Sequence, residues 1–310
     1  MSALICGSLA YDTIMVFPGR FKEHILPEKV HILSVSFMVP QIRREYGGCA
    51  GNIAYNLHLL GGDGYMMATA GRDFDLYSDW IDQCGMSQRY VKIIAEEYTA
   101  QAFVTTDLDD NQITAFHPGA MNSSHANDIP DDGSISIAII SPDGKDGMVQ
   151  HARQCHEAGI PFIFDPGQGM PMFNGEELLS FIEQASYVCV NDYESQLLQE
   201  RTGLNTKQIA ERVQAMVVTC GSEGSVIHTN GDTIEIPAVW AGAVQDPTGC
   251  GDAYRGGLIF GLMNGLDWEA CGRIAALISA IKVAHHGTQN HTFTLDEFKS
   301  RFRKEFGCSF

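Results

Sequence analysis

Short apolar runs alternate with amphipathic stretches along most of the chain, and the first run is Ala3 to Leu9. It predicts a short buried strand, with Asp12 as the first charge after it. From Gly47 the pattern changes to a glycine-rich turn and a helix through Leu60, and a strand follows near Tyr65 to Ala70. This order predicts the start of a strand–helix–strand alternation.

The alternation becomes regular in the middle of the chain. Apolar runs separated by helical stretches predict four more strands, at Ile135 to Ile140, Phe162 to Phe164, Tyr187 to Val190 and Met216 to Thr219. A hairpin is expected to turn at Asn230-Gly231, and the segment from Gly249 to His285 is typical of helices. The pattern predicts a single three-layer α/β domain over residues 1–310, with a doubly wound, mainly parallel sheet.

A second, smaller group of strands is predicted outside this alternation. Val30 to Val39 is typical of a half-exposed strand, while Ala100 to Thr106 and Gln112 to Phe116 predict a hairpin. We expect this hairpin to pair with the Val30 strand. The ranges 13–45 and 96–117 would then form a small β-sheet that acts as a lid.

Composition narrows the class of protein. The chain has 310 residues, 45% of them hydrophobic, and a formal net charge of −18, which repels nucleic acids and anionic membranes as partners. A site for a polyanion would need local positive potential from helix N-termini, a metal ion or a few basic side chains. The nine cysteines form no CxxC pair, which favours reduced core thiols. With no secretory pattern at the N-terminus, we expect a cytoplasmic protein.

The segment with the clearest chemistry is DPTGCGDAYRGG, Asp246 to Gly257, which leads into an apolar helix. Gly249, Cys250 and Gly251 would let successive amides converge on an anion at the helix N-terminus. Asp252 could accept a proton there while the amides stabilise a transferring phosphoryl group. A glycine-rich loop with Asp252 as a helix cap explains the same residues equally well. The P-loop ending and the dinucleotide GxGxxG spacing are both missing.

This segment resembles the C-terminal motif of the ribokinase (PfkB) family of carbohydrate and nucleoside kinases, DTxGAGDxFxGG, with Cys250 in place of the usual alanine. Four other stretches resemble the family's motifs in the same order: GSLAYD at Gly7–Asp12, GGCAGN at Gly47–Asn52, NDYE at Asn191–Glu194 and TCGSEG at Thr219–Gly224. The resemblance covers nearly the whole chain. It implies a ribokinase-like fold and ATP-dependent phosphorylation of a hydroxyl group.

The resemblance also implies roles for individual residues around the acceptor. Asp252 would accept the proton of the attacking hydroxyl, with Gly249, Cys250 and Gly251 as the anion hole. The residues expected to bind the acceptor are Asp12, Gly48, Asn52, Gln112 and Gln168. Of these, Asp12 and Asn52 would hold ribose hydroxyls, although taken alone Asp12 is more typical of a loop carboxylate and Asn52 of a helix cap.

The resemblance also implies which residues bind the nucleotide. They are Asn191, Glu194, Thr219, Gly221 and Gly224. Glu194 would orient a hydrated Mg²⁺ through water, while the alternative, a polar helix start, explains Asn191 and leaves Glu194 without a reason. Asp246 and Thr248 correspond to residues that bind a monovalent cation in some members, with further oxygen ligands from the stretch around His285 to Gln289, so K⁺ is a second candidate ion. His285 and His286 are interpreted as helix C-terminal residues, with Gly287 as the stop.

Several strings resemble prokaryotic nucleoside kinases that accept adenosine, among them DNQITAFHPGA at Asp110–Ala120 and FDPGQ at Phe164–Gln168. Adenosine, converted to AMP at its 5′-hydroxyl, is therefore the first-choice substrate. Aromatic and apolar lid residues could stack on the base, or form the lid's own core or a homodimer contact: Phe37, Met38, Phe103 and Phe116. The alternatives are a ribose or other sugar kinase, a non-catalytic nucleoside or nucleotide sensor, and an NAD-dependent enzyme, which the missing glycine fingerprint disfavours.

Overall fold

The structure is a computed structural model that describes residues 2–25, 34–109 and 111–310. The strands of these residues are β1 (Ser2–Cys6), β2 (Ala10–Val16), β3 (Gln41–Gly47), β4 (Gly64–Gly71), β5 (Ser87–Ile94), β6 (Ala100–Thr106), β7 (Gln112–His117), β8 (Ile135–Ile140), β9 (Phe162–Phe164), β10 (Tyr187–Asn191), β11 (Ala215–Thr219), β12 (Ser225–Thr229) and β13 (Asp232–Ile236). The α-helices are α1 (Cys49–Leu59), α2 (Asp75–Gln83), α3 (Lys145–Glu157), α4 (Gly175–Gln184), α5 (Asp192–Thr202), α6 (Thr206–Ala210), α7 (Cys250–Met263), α8 (Trp268–Val283) and α9 (Leu295–Phe306).

The large sheet has the strand order β13-β12-β11-β10-β9-β8-β1-β4-β5. Its pairs are parallel from β11 to β5, and the hairpin β12–β13 adds two antiparallel strands at one edge. The hairpin turns where predicted, with positive φ at Asn230 and Gly231. Strand β1 lies between β4 and β8, so later strands are added on both of its sides: β4 and β5 on one, and β8 to β13 on the other. In such sheets a ligand crevice opens at the carboxyl ends of the strands beside this switch point.

Helices cover both faces of the sheet, as the alternation predicts. On β1, Ile5 joins an apolar cluster with residues of α1, α2, α7 and α8, whereas its neighbour Leu4 joins a cluster with residues of α3, α4, α5 and α6. Successive side chains of a strand point to opposite faces, so one short apolar run contributes to both cores. The three-layer α/β fold predicted from the sequence is confirmed.

Helix α7 lies unusually close to its neighbours because of two glycines. A Cβ atom on Gly256 would lie 2.9 Å from Cβ of Asn56 on α1, and one on Gly257 would lie 2.7 Å from Cα of Ala275 on α8. Only a residue without a side chain fits at these distances. The close approach of α1 and α7 aligns their N-termini, which carry Asn52 and Asp252.

The small sheet has the order β3-β2-β6-β7. The hairpin β6–β7 forms as predicted, but its partner strand was misplaced. Of the range Val30–Val39, residues 30–33 lie outside the described residues, and residues 34–39 form no strand. Instead β6 pairs with β2, and β2 pairs with β3. Strand β3 was missed because Gln41–Gly47 is largely polar and lacks an apolar alternation.

Three further differences from the predicted elements were found. Asp12 follows the first strand, as predicted, but lies inside β2, which the sequence pattern did not predict. Helix α2 and strand β5 were not predicted, since their sequences mix charged and apolar positions. Helix α8 ends at Val283, so His285 lies beyond its end, where Nδ1 contacts the main-chain oxygen of Ile281 at 2.9 Å. In the part of the chain that the structure describes, we find no helix with the length and apolarity needed to cross a membrane.

Candidate active site

Asn52 and Asp252 meet at the carboxyl edge of the sheet although they are 200 positions apart. Asn52 Nδ2 donates a hydrogen bond of 2.8 Å to Asp252 Oδ2. Gln289 Nε2 donates to Asn52 Oδ1 at 3.0 Å and lies 2.7 Å from the hydroxyl of Tyr77. The carboxamide of Asn52 is therefore held in one orientation, with its NH₂ group towards Asp252.

Asp252 carries a carboxyl group tuned towards neutral pH. Burial raises its pKa to about 6, and the hydrogen bond from Asn52 acts in the opposite direction. Charges compete here as well, because Arg255 stabilises the carboxylate and Asp165 destabilises it. A carboxylate with a pKa near 6 is a better proton acceptor than an ordinary aspartate and is still mostly ionised at pH 7.

The loop before Asp252 is shaped for an anion. Gly249 has the left-handed φ of 76°, and the amide of Cys250 donates to Pro247 O at 3.1 Å. The first intrahelical bond of α7 runs from the amide of Ala253 to Gly249 O at 2.9 Å. The amides of Gly251 and Asp252 lie in the first turn of α7, before this first hydrogen bond, so the helix offers them no carbonyl acceptor. They are the better placed donors for an anion, while the amide of Cys250 closes the turn.

Asp12 lies on the inner face of the small sheet, across from the same loop. A Cβ atom on Gly47 would lie 2.5 Å from Asp12 Oδ2, so only glycine leaves room for this carboxylate. Burial raises the pKa of Asp12 to about 6, and the negative charges of Asp252, Glu45 and Asp246 add to the effect. Gly48 has a φ of 86°. It makes the turn that brings the N-terminus of α1 towards Asp12.

Arg255 and Asp165 are site residues that the sequence analysis did not single out. Arg255 is 5% exposed, and its Nη2 donates to Asp165 Oδ1 at 2.7 Å. The same nitrogen lies 3.9 Å from Glu194 Oε2, so the arginine links two carboxylates behind Asp252. An arginine among the small and apolar residues that follow Asp252 in α7 was a usable signal, because buried arginines are almost always paired.

Asn191 and Glu194 form a capping box at the start of α5. Asn191 Oδ1 accepts from the amide of Glu194 at 2.7 Å, and Glu194 Oε2 accepts from the amide of Asn191 at 2.8 Å. The helix-start interpretation therefore explains both residues, and not Asn191 alone. Burial raises the pKa of Glu194, and the adjacent Arg255 opposes this. The capping box uses Glu194 Oε2 and leaves Oε1 out.

The described residues contain no cluster of three or more histidines, cysteines or carboxylates that could hold a metal ion. Mg²⁺ fits such a site only if most of its ligands are phosphate oxygens and water. Glu194 lies in the first turn of α5, just after the carboxyl end of β10, which is the edge where such a hydrated ion would lie. The side chains present are thus compatible with Mg²⁺ that arrives with a nucleotide.

The remaining nucleotide-side residues follow β11. Thr219 ends this strand, and Gly221 and Gly224 have φ values of 54° and 96° in the turn after it. An open groove of about 360 Å³ borders this turn and the hairpin β12–β13. It is lined by Cys220, Glu223, Ser225, Val226, Glu235, Ile236 and Pro237. The turn therefore stands at the same edge of the sheet as Asp252, beside a space open to solvent.

The two predicted glutamines are placed differently. Gln168 is exposed and follows β9 at the carboxyl edge, two residues after Pro166. Gln112 pairs with Thr106 at the far end of β7. Asp12 is aligned through Ala102 with Phe116, four positions away from Gln112. The structure thus brings Gln168 to the site edge and does not bring Gln112 to Asp12.

The lid aromatics separate in the same way. Phe116 shares the face of Asp12, because directly paired residues project to the same side. Phe103 pairs with Thr13 and projects to the other side. The ring of Phe37 packs on Phe17, with centroids 4.8 Å apart, in the lid's own apolar core. Phe116 is therefore the aromatic candidate for contact with a base.

The predicted K⁺ ligands, Asp246 and Thr248, lie in the loop before α7. Asp246 Oδ1 accepts from the amide of Thr248 and Oδ2 from the amide of Gly287, both at 2.9 Å. The main-chain oxygen of Asp246 accepts from Lys282 Nζ at 2.7 Å. Burial lowers the pKa of Lys282, and Cys250, Asp246 and Asp252 act in the opposite direction. The two carboxylate oxygens and the main-chain oxygen of Asp246 thus already accept hydrogen bonds within the chain.

The sequence profile of a family described as pfkB family carbohydrate kinase matches residues 10–294. The nucleoside kinase of Methanocaldococcus jannaschii is 33% identical over 280 residues, which are 89% of this chain and 92% of that protein. The ribokinase of Lactococcus lactis is 28% identical over 66% of this chain and 68% of its own.

Solved structures of a nucleoside kinase are also similar to this chain. The nucleoside kinase of Burkholderia thailandensis in complex with inosine is 52% identical, with a TM-score of 0.90 and 99% of both chains covered. A second structure of that enzyme, in complex with ADP-inosine, is 53% identical with a TM-score of 0.88, and covers 99% of this chain and 97% of its own. Sequence and fold are therefore similar over almost the entire length.

Proposed function

The chain belongs to the pfkB family of carbohydrate kinases, and we propose that it transfers the γ-phosphoryl group of ATP to the 5′-hydroxyl of a nucleoside. Family membership makes it a phosphotransferase that acts on a hydroxyl group. The observation that carries the proposal is the hydrogen-bonded pair of Asn52 and Asp252, 2.8 Å apart, at the N-terminus of α7. Proton acceptor, acceptor-binding amide and anion-binding amides thus meet at one point.

In this proposal Asp12 and Asn52 hold the ribose hydroxyls. A carboxylate can accept from two neighbouring hydroxyls, and the Asn52 carboxamide can donate or accept. Asn52 is held in place by Gln289, and Asp12 occupies the space that the missing side chain of Gly47 leaves. The 5′-hydroxyl is then directed at Asp252, which orients it and receives its proton.

The chemical step is an in-line displacement. A bond forms between the ribose 5′-oxygen and the γ-phosphorus, the bond from that phosphorus to the β-phosphate oxygen breaks, and ADP leaves. The proton of the hydroxyl passes to Asp252. Because the transition state is loose, its charge lies mainly on the transferring phosphoryl oxygens, and the amides of Gly251 and Asp252 stabilise it there.

The nucleotide would lie along the turn after β11, at Thr219, Gly221 and Gly224. Mg²⁺ neutralises phosphate charge when bound, and Glu194 would orient it through water. Glu194 is suited to this because the capping box and the nearby Arg255 both engage Oε2, which leaves Oε1 outside these contacts. The four-stranded lid, with Asp12 on its inner face, excludes water from the acceptor when it closes.

Adenosine is the nucleoside that we propose, because of the chemistry of Gln168. A carboxamide can donate to N7 and accept from the N6 amino group of adenine, whereas hypoxanthine offers two acceptors at the same positions. The relative from Burkholderia thailandensis was solved with inosine, so its site accepts a base without the amino group. This chain would accept inosine as well, with lower efficiency.

A ribose kinase of the same family is the second candidate, favoured by the similarity to the Lactococcus lactis ribokinase. Asp12 and Asn52 suit free ribose almost as well as a nucleoside. Phe116 decides against it, since an exposed ring on the inner face of the lid has no partner in a sugar that lacks a base. A non-catalytic sensor would have no use for the raised pKa of Asp252.

The test is a substrate panel with the full chain, ATP and Mg²⁺. Turnover of ATP to ADP is measured with adenosine, inosine, guanosine, cytidine and ribose, and the product is identified by phosphorus NMR. We expect a nucleoside 5′-monophosphate, with the highest kcat/KM for adenosine. Asp252→Asn should bind adenosine and lose most turnover. More efficient turnover of ribose than of every nucleoside would overturn the proposal, as would an active Asp252→Asn enzyme.

A further inference from the structure

Lys282 is a fully buried lysine on α8, directly behind the loop that leads into Asp252. Its exposed fraction is 0%, and its Nζ donates to the main-chain oxygen of Asp246 at 2.7 Å. The ion pairs among the described residues do not include it. Lysines are almost never fully buried unless they are paired, so the fold keeps this charge at an energetic cost.

Neutral contacts already tie α8 to the same loop. Ser279 Oγ donates to Cys250 O at 2.9 Å, and the amide of Gln245 donates to Val283 O at 2.8 Å. The carboxylate of Asp246 holds the loop from the other side through the amides of Thr248 and Gly287. The position of the loop therefore has several supports that carry no positive charge, and the ammonium of Lys282 needs a separate reason.

We propose that Lys282 is a positioning residue for phosphoryl transfer, and that its ammonium supplies from within the chain the fixed cation beneath the anion-binding loop. The inference rests on the proposed kinase function. The ammonium polarises the carbonyl of Asp246 and adds positive potential below the amides of Gly251 and Asp252. These amides then bind the transferring phosphoryl group more strongly, in a setting that does not reorganise during the reaction.

This role makes an added monovalent cation unnecessary. The two carboxylate oxygens of Asp246 each accept an amide hydrogen, and its main-chain oxygen accepts the ammonium. A potassium ion placed against the same residue would be repelled by Lys282, because like charges repel strongly where water is excluded. The sequence-based expectation of a K⁺ site at Asp246 and Thr248 is therefore replaced by a lysine that is part of the fold.

The test compares three variants in potassium and in choline salts at equal ionic strength. Lys282→Met removes both the charge and the hydrogen bond, and Lys282→Gln keeps a donor without the charge. Lys299→Met, on the exposed side of α9, removes a lysine charge far from the loop and serves as the matched control. Measurements are kcat and KM for adenosine and ATP, adenosine affinity by calorimetry, and the thermal unfolding midpoint.

We expect equal wild-type turnover in both salts. A direct oxyanion donor is worth about 100- to 1000-fold in kcat, and Lys282 acts from behind the loop, so both of its variants should lose about tenfold. Their adenosine affinity and thermal midpoint should not fall, since a buried unpaired charge is replaced by a neutral side chain. Potassium should restore part of the turnover of Lys282→Met, and Lys299→Met should match the wild type.

Two results would overturn the inference: a wild-type enzyme that needs potassium, or Lys282 variants that keep full turnover. If Lys282→Met fails to fold, Lys282→Gln decides, because its side chain is polar and can keep the bond to Asp246. A chain that phosphorylates no nucleoside or sugar in either salt contradicts the kinase proposal itself, and this inference with it. An active wild type with unaffected Lys282 variants contradicts only the role of the lysine.

Discussion

Replacing Asn52 by alanine removes the hydrogen bond that stabilises the ionised form of Asp252. Such a bond to a charged group is worth about 1.5–3 kcal/mol, and the lower figure applies because Asp252 is partly open to solvent. Since about 1.36 kcal/mol corresponds to one pKa unit, the pKa of Asp252 should rise by about one unit from its value near 6. The base would then be half protonated close to pH 7.

The direction of the expected shift in the pH profile follows from the role of Asp252 as proton acceptor. Asp252 must be ionised to accept a proton, so activity falls as the pH drops through its pKa. The acid limb of kcat/KM should therefore lie near pH 6 in the wild type and move upwards by about one unit in Asn52→Ala. If a step that does not involve Asp252 limited the rate, the acid limb of kcat/KM would stay at the same pH in Asn52→Ala.

Asp12 complicates the assignment, because its pKa is also raised to about 6 and its charge interacts with that of Asp252. Coupled carboxyls titrate as a pair, so the wild-type limb belongs to both groups. Asp12→Asn removes one of them and leaves a limb that reports Asp252 alone. The double variant Asp12→Asn/Asn52→Ala should then show the full upward shift.

The measurement is kcat/KM for adenosine from pH 5 to 9, with saturating Mg²⁺ and ATP. Asn264→Ala, an exposed carboxamide at the end of α7, is the control and should keep the wild-type profile. An acid limb that stays in place or moves to lower pH in Asn52→Ala would refute the reasoning. The bond seen between the two side chains would then not act on the proton acceptor.

Three further predictions concern the residues around this pair. Arg255→Met leaves Asp165 as an unpaired buried carboxylate and should lower the free energy of unfolding by urea by about 3–5 kcal/mol. The double variant Arg255→Met/Asp165→Asn should recover a part of this loss. Equal stability of the single and the double variant would contradict the ion pair. Gln168→Ala should lower the ratio of kcat/KM for adenosine over inosine by about tenfold, and an unchanged ratio would exclude it from base recognition. Glu194→Gln should raise the Mg²⁺ concentration for half-maximal turnover; an unchanged requirement with lower thermal stability would leave only the capping role.

The sequence predicted buried elements better than exposed ones. Ile135–Ile140 and Phe162–Phe164 were predicted with their observed bounds, because parallel strands buried on both faces are continuous apolar runs. Strand β3 was missed for the opposite reason, since four of its seven residues are polar or charged and its position depends on pairing with β2. The lid was therefore predicted as a sheet, with one of its strands in the wrong place.

The site shows the same division. Motifs identified Asp12, Asn52 and Asp252, whose proximity then follows from the fold. They could not identify Gln289, whose contact with Asn52 joins positions 237 apart. Nor could they show that Asn191 and Glu194 cap a helix, since a capping box and a metal-orienting motif use the same residue types at the same spacing. The sequence records which side chains are present, and three-dimensional contacts decide which of their atoms remain free.

A chain with a net charge of −18 must still attract and hold a triphosphate. Of the two buried basic side chains near Asp252, Arg255 cannot supply the attraction, because Asp165 at 2.7 Å neutralises it. Its charge organises carboxylates instead. Lys282 bonds to a neutral carbonyl and forms no close ion pair, although the charges of Asp246 and Asp252 act on it, so in our proposal part of its positive field reaches the loop. The helix N-terminus adds the directed amides. In this proposal, the positive potential that the composition requires is supplied at the loop where the phosphoryl group would be transferred.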